Sequence, residues 1–195
     1  SGGEFSVMPD RVETATYLTA VVMTGGSIKI KSAFPDSLSA VISKLENAGG
    51  VFEVGEDWIA LTMDKARPSS TSLTTGPYPS FPTDMQAQFI SLNSIAKGNS
   101  TVTETVFENR FMHVPELNRL GAKIKVKNDE AFIQGNNTFK GAQVMASDLR
   151  ASVSLVLAGL CAEGETIINR VYHLDRGYEK IEEILGKCGP KIYRI

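Results

Sequence analysis

Asp10-Arg11-Val12-Glu13, Asp84-Met85-Gln86-Ala87 and Asp148-Leu149-Arg150-Ala151 decide the fold. Each opens with an Asp, a side chain whose oxygen can accept the free N–H groups of a helix's first turn, and each runs into an apolar helical stretch. Each helix is expected to close on a glycine turn: Thr24-Gly25-Gly26, Lys97-Gly98-Asn99 and Glu163-Gly164-Glu165. A short β-rich stretch follows each turn, at 27–30, 101–104 and 166–169. A second helix ends in a leucine with a glycine four residues later, at Leu45 and Gly49, Leu117 and Gly121, and Leu185 and Gly189. Glycine just past a helix takes the left-handed conformation cheaply, so these read as C-caps. From opening Asp to closing Leu the distances are 35, 33 and 37 residues. Strand-like segments come next, at 51–54 with 58–61 and at 123–126 with 131–133. The third copy breaks off at Lys191-Ile192-Tyr193-Arg194-Ile195, without its last hairpin.

The order helix, strand, helix, strand, strand therefore recurs nearly three times. It predicts one α/β domain over residues 7–195, built of three units at about 7–66, 67–140 and 141–195, the third incomplete. Residues 1–6 read as a tag or flexible linker, with neither the charged nor the apolar region of a signal peptide. The stretch from Asp64 to Pro82 is rich in proline and reads as an extended excursion between units.

Composition narrows the function. The 195 residues are 42% apolar and 22% charged, with a formal net charge of −2. That is too apolar for a disordered chain, and long enough to bury roughly 70% of its unfolded surface. Near-neutral charge argues against a nucleic-acid grip or a polybasic membrane anchor. No apolar run has the length of a membrane span. Two cysteines, Cys161 and Cys188, make no disulfide framework and favour a reducing, cytoplasmic setting.

Three stretches can carry chemistry. In the first, three prolines lead to Thr83-Asp84. Asp84 reads either as a plain N-cap, like Asp10 and Asp148, or as a rigidly placed carboxylate that accepts a hydroxyl proton. The second runs from Thr103 to His113 and holds Arg110 and one of the two histidines, whose plainest reading is a packed core residue. With so few histidines and cysteines, and no ligand spacing, a metal site is not expected. Nor is there a G-x-S-x-G nucleophile, a Walker A loop or a G-x-G-x-x-G turn. The third places Arg150 and Arg176 close to expected helix starts, where a cation does nothing for the helix dipole but can receive an anion. The competing reading pairs these arginines with Asp148 and Asp175.

Four strings, at 81–88, 103–113, 147–152 and 172–179, closely resemble the UDP-N-acetylglucosamine enolpyruvyl transferases, and the likeness runs from about Val7 to Ile195. The resemblance implies an inside-out α/β barrel, one of two similar domains joined by a hinge, each made of three βαβαββ-type units. It implies an enzyme that moves enolpyruvyl from phosphoenolpyruvate to the 3′-hydroxyl of UDP-N-acetylglucosamine, in the first committed step of peptidoglycan synthesis. By the same resemblance Asp84 contacts that hydroxyl and acts as its base. Thr83, Val106 (through its backbone) and Arg110 fall on the sugar-nucleotide side, and Arg150 and Arg176 meet phosphoenolpyruvate. Neither a metal nor an organic cofactor is implied.

The same resemblance assigns the reactive cysteine to a loop of the other domain; neither Cys161 nor Cys188 matches it. The Lys-Asn pair that grips phosphoenolpyruvate also lies in that domain, as do most uridine and diphosphate contacts. The family's N-terminal segment completes the third unit. The chain alone is therefore expected to be inactive, with that Cys-loop domain as its partner, and an open sheet edge invites a homodimer by edge pairing. Two alternatives stand beside this reading: a 3-phosphoshikimate enolpyruvyl transferase domain, and a non-catalytic ligand-binding module of the same fold.

Overall fold

Helix α1 (Arg11–Thr24) starts where expected, because Asp10 Oδ1 accepts the N–H groups of Val12 at 2.8 Å and Glu13 at 3.1 Å. It belongs to a computed structural model that describes residues 2–135 and 138–195. Ser1 of the expected linker, and Asn136 and Asn137 of the second expected unit, lie outside the described residues. Residues 2–9 are exposed and carry no secondary structure.

Two further long helices, α3 (Gln86–Ile95) and α5 (Leu149–Leu160), pack on α1 and on each other. Every residue of α3 is buried, although Gln86, Gln88, Ser91, Asn93 and Ser94 are polar. Small polar residues fit this interior because their hydroxyls turn back on their own helices. Thr19 donates to the Ala15 carbonyl at 2.8 Å and Ser94 to that of Ile90 at 2.8 Å. Ser91 instead crosses to α5 and donates to the Ser154 carbonyl at 2.9 Å.

Sheets flank these helices. Strands β1 (Gly26–Lys31), β2 (Val51–Val54) and β3 (Trp58–Met63) form an antiparallel sheet in the order β1-β3-β2, with Ile28 opposite Leu61. Strict alternation along β3 sends Ile59, Leu61 and Met63 inward. Helix α2 (Ser39–Ala48) buries Val41, Leu45 and Ala48 and ends at Gly49, whose φ of +115° is left-handed territory that glycine enters without strain.

A second sheet takes β4 (Leu73–Thr74), β5 (Asn99–Thr103), β6 (Lys123–Lys127) and β7 (Glu130–Gln134) in the order β4-β5-β7-β6, with β4 parallel to β5. The short helix α4 (Val114–Arg119) precedes β6. Two small parallel pairs complete the set: β8 (Phe139–Lys140) with β10 (Ala162–Glu163), and β9 (Gln143–Met145) with β11 (Ile167–Asn169).

The main hydrophobic cluster includes Leu18, Leu45, Leu61, Phe89, Leu92 and Phe139. A smaller one joins Val153 and Val156 of α5 to Leu174, Tyr178, Ile181 and Leu185, the last two on α6 (Ile181–Gly186). The Tyr178 hydroxyl meets Thr16 Oγ1 of α1 at 2.8 Å. Burial pushes the Tyr178 hydroxyl up to about 12. No helix among the described residues is long and apolar enough to cross a membrane.

Residues 191–195, where the third copy breaks off, carry no secondary structure, and Arg194 ties them to Asp175 and Glu182. One expectation is corrected. Helix α3 begins at Gln86 rather than at Asp84, because a 3-10 turn occupies Thr83–Met85.

Candidate functional site

The site grows from the proline-rich loop before α3. Thr75 bridges to Phe81, and the Gly76 N–H donates to the Phe81 carbonyl at 2.9 Å, which closes the loop on itself. Buried Phe81 stacks edge-on against Phe89 of α3, with centroids 4.8 Å apart. The chain then leaves the core at Pro82 and turns through Thr83–Met85. Here the helix-start donors find backbone partners: Met85 N–H to the Pro82 carbonyl at 3.0 Å, and Gln86 N–H to that of Thr83. Asp84 is thus no N-cap, which corrects one of its two expected readings.

Its carboxylate instead receives Arg150. The guanidinium Nε donates to Asp84 Oδ1 at 2.7 Å, and Nη2 reaches the same oxygen. The two side chains keep 34% and 36% of their surface exposed, so a ligand can reach both. Arg150 is the second residue of α5, and Asp148 caps that helix by accepting the N–H groups of Arg150 at 2.8 Å and Ala151 at 3.0 Å. Burial works against the Asp148 charge. Those N–H groups and the Ser147 hydroxyl outweigh it and hold the carboxyl below its usual range. The alternative in which the Arg150 guanidinium pairs with Asp148 is not what forms; Asp148 takes the backbone and leaves the guanidinium to Asp84.

Thr83 turns its hydroxyl inward, onto Glu104 Oε2 at 2.8 Å. Val106 is half-buried, and its N–H is likewise turned inward, to Glu104 Oε1 at 2.9 Å. Arg110 lays its guanidinium over the Phe107 ring at 4.4 Å, and its buried Nε finds no hydrogen-bond partner among the described residues. The buried His113 feels the charges of both Arg110 and Asp148. Burial lowers its pKa to about 4, with the nearby Arg110 charge adding to the fall and Asp148 opposing it.

Arg176 is exposed at the end of the 3-10 segment Val171–Arg176, not near a helix start as the sequence suggested. Its neighbour Asp175 takes Arg194 at 3.0 Å, and that guanidinium holds the Asp175 carboxyl below its usual range. No hydrogen bond among the described residues ties Arg176 to Asp84 or Arg150. The next residue nevertheless presses on the start of α5: a Cβ on Gly177 would lie 2.9 Å from Leu149 Cδ2. Asp84 and Arg150 are therefore joined directly, Arg110 borders the same helix start through His113, and Arg176 approaches it by way of Gly177.

Glu104 went unnoticed in the sequence. The only signal was an acid between two threonines at the end of β5. Chemically, the site offers an exposed carboxylate that can accept a proton and a guanidinium fork shaped for an oxyanion. Among the described residues no group of three or more His, Cys, Asp or Glu could hold a metal ion.

Comparison with known proteins identifies the family. A protein from Xylella fastidiosa strain 9a5c, named UDP-N-acetylglucosamine 1-carboxyvinyltransferase, is 58% identical over 194 residues, covering 100% of this chain and 46% of its own length. One of the same name from strain M12 is 58% identical over 193 residues, covering 99% of this chain and 45% of its own length. The chain spans about half the length of the curated relatives it matches. Among solved structures, the enolpyruvyl transferase NikO from Streptomyces tendae superposes with a TM-score of 0.85 at 27% identity, over 95% of this chain and 44% of that one. EPSP synthase from Acinetobacter baumannii shares the fold at a TM-score of 0.66 and 19% identity, over 85% of this chain and 40% of that one. The family model described as EPSP synthase (3-phosphoshikimate 1-carboxyvinyltransferase) matches residues 1–185, so the chain belongs to that family of α/β transferases.

Proposed function

We propose that the chain is one domain of a UDP-N-acetylglucosamine enolpyruvyl transferase, an inside-out α/β barrel of three related units that works in the cytoplasm against a second domain. The direct union of Asp84 with Arg150 is the observation that carries this reading, and the 58% identity to proteins of that name supports it.

In the reaction the 3′-hydroxyl oxygen of the amino sugar bonds to C2 of phosphoenolpyruvate, and a solvent-derived proton adds to C3, making it a methyl carbon. Asp84 takes the hydroxyl proton as the C–O bond forms. The tetrahedral adduct then loses that C3 proton and phosphate, leaving the enol ether. Arg150 and Arg176 balance the phosphate and carboxylate charge of the donor; each guanidinium fork matches those oxygens, and stabilisation of charge that builds in the transition state is where binding accelerates chemistry. The anionic donor competes with Asp84 for Arg150, so its arrival releases Asp84 to face the hydroxyl. Arg110, with one donor left unpartnered, and the backbone at Val106 face the sugar nucleotide. The 58% identity to proteins named for the amino-sugar substrate supports that acceptor over shikimate 3-phosphate.

Phosphate release measured with both substrates tests the reading. The chain alone is expected to give no turnover, and the chain joined to the preceding domain of such an enzyme is expected to turn over. Turnover by the lone chain, or none by the joined protein, overturns it.

A further inference from the structure

Glu104 is buried, yet it bears a carboxylate, and burial of a charge is unfavourable unless donors surround it. Four do. Oε1 accepts the Thr75 hydroxyl at 2.9 Å and the N–H groups of Val106 at 2.9 Å and Phe107 at 3.2 Å; Oε2 accepts the Thr83 hydroxyl at 2.8 Å. Its own N–H is anchored on the Asp129 carbonyl at 2.8 Å, at the turn between β6 and β7. Thr75 reinforces the arrangement: its hydroxyl accepts the Thr105 N–H at 2.9 Å, and its carbonyl the Thr105 hydroxyl at 2.6 Å. The two oxygens are divided in a telling way. One holds the Val106 turn, and the other holds the residue immediately before Asp84.

We infer that Glu104 is the positioning residue of the acceptor side, a single carboxylate that fixes Asp84 and the Val106 backbone relative to each other. This rests on the transferase reading above. Glu104 touches no substrate; it acts through Thr83 and the 104–107 turn. An ionised carboxylate presents only acceptors, which suits four converging donors. Glutamine can keep most of the set, because its carbonyl serves the two N–H groups while its NH2 donates to the Thr83 hydroxyl. Aspartate cannot, because a shorter stem draws the carboxylate away from one side.

Glu104→Asp, Glu104→Gln and Glu104→Ala test this in the chain joined to its preceding domain. For Asp and Ala, kcat is expected to fall and the KM for UDP-N-acetylglucosamine to rise, each about tenfold or more, with the KM for phosphoenolpyruvate within about twofold. Gln is expected to stay within about threefold of wild type. Should Ala fail to fold, Asp and Gln carry the test. An unchanged Asp variant, or a loss that falls equally on both KM values, overturns the inference. The lone chain supplies a readout independent of turnover: amide exchange at Val106 and Phe107 is expected to quicken at least about tenfold in Asp and remain slow in Gln. Inactive wild type with that exchange pattern sinks the transferase reading alone; active wild type without the pattern sinks the role of Glu104.

Discussion

The starts of α3 and α5 look alike in sequence, since each has an Asp shortly before an apolar run, but they use that Asp differently. At α5, Asp148 is spent on the helix, its Oδ1 saturated by two backbone N–H groups. At α3, a 3-10 turn supplies backbone acceptors for the same kind of donor, and Asp84 extends outward to Arg150. A carboxylate engaged in capping adds stability and has little freedom for chemistry. Relieved of capping by three residues of 3-10 turn, it can meet a partner on another element.

Changing each carboxylate separates the two uses. The largest effect is expected for Asp84→Asn in the protein joined to its preceding domain: a fall in turnover of about 100-fold or more, with UDP-N-acetylglucosamine binding far less affected, checked by steady-state phosphate release. Unchanged turnover removes Asp84 from the mechanism. The second concerns His113, buried beside Asp148, with a folded pKa of about 4 against an ordinary 6.5. Between those values the unfolded chain binds a proton that the folded chain refuses, so stability is full above pH 6.5 and falls as the pH drops toward 4. The loss is about 3 kcal/mol across that window. Urea titrations of the wild type and His113→Phe at several pH values are expected to show their difference changing by that amount; a difference flat with pH refutes it.

Third, Asp148→Ala is expected to lower stability by about 1–2 kcal/mol, the value of a lost N-cap, whereas Asp84→Ala changes it by less than about 1 kcal/mol because its ion pair is open to solvent. Equal losses in thermal unfolding would erase the distinction between the two helix starts. The smallest effect is expected for Asp10→Ala, about 0.5–1 kcal/mol, since its capping bonds lie at an exposed end of the chain.

Much of the fold was legible because local chemistry and tertiary packing agree. Asp10 and Asp148 cap as read, and Val51–Val54 is a strand from end to end. Gly49, Gly121 and Gly189 all take positive φ just beyond their helices. The stretch expected at 166–169 is β11, but its parallel pairing with β9, and that of β8 with β10, left no trace, because two or three residues are too few to establish a period. Residues 191–195 have strand-like composition but lack a partner strand among the described residues, and Arg194 settles them through ion pairs instead. At the site, the resemblance brings Asp84 and Arg150 to one pocket but not into a direct ion pair, since 66 residues separate them and only the packing of α3 on α5 joins them. Glu104 was invisible for a related reason: its donors come from residues 75, 83, 106 and 107, on separate turns.

Helix α5 is a wall shared by two rooms. Leu155, Leu157 and Ala158 belong to the main cluster, while Val153 and Val156 face the small one that carries the 171–185 segment. Regions with separate cores can open separately, each with its own free energy. Detachment of the small cluster would therefore carry off Arg176 and leave the Asp84–Arg150 pair seated on the large one. Of the two guanidinium groups proposed to meet one donor molecule, one is fastened to the bulk of the protein and the other to an annexe, so a lesion in the annexe such as Leu185→Ala is expected to loosen Arg176 without unfolding the rest.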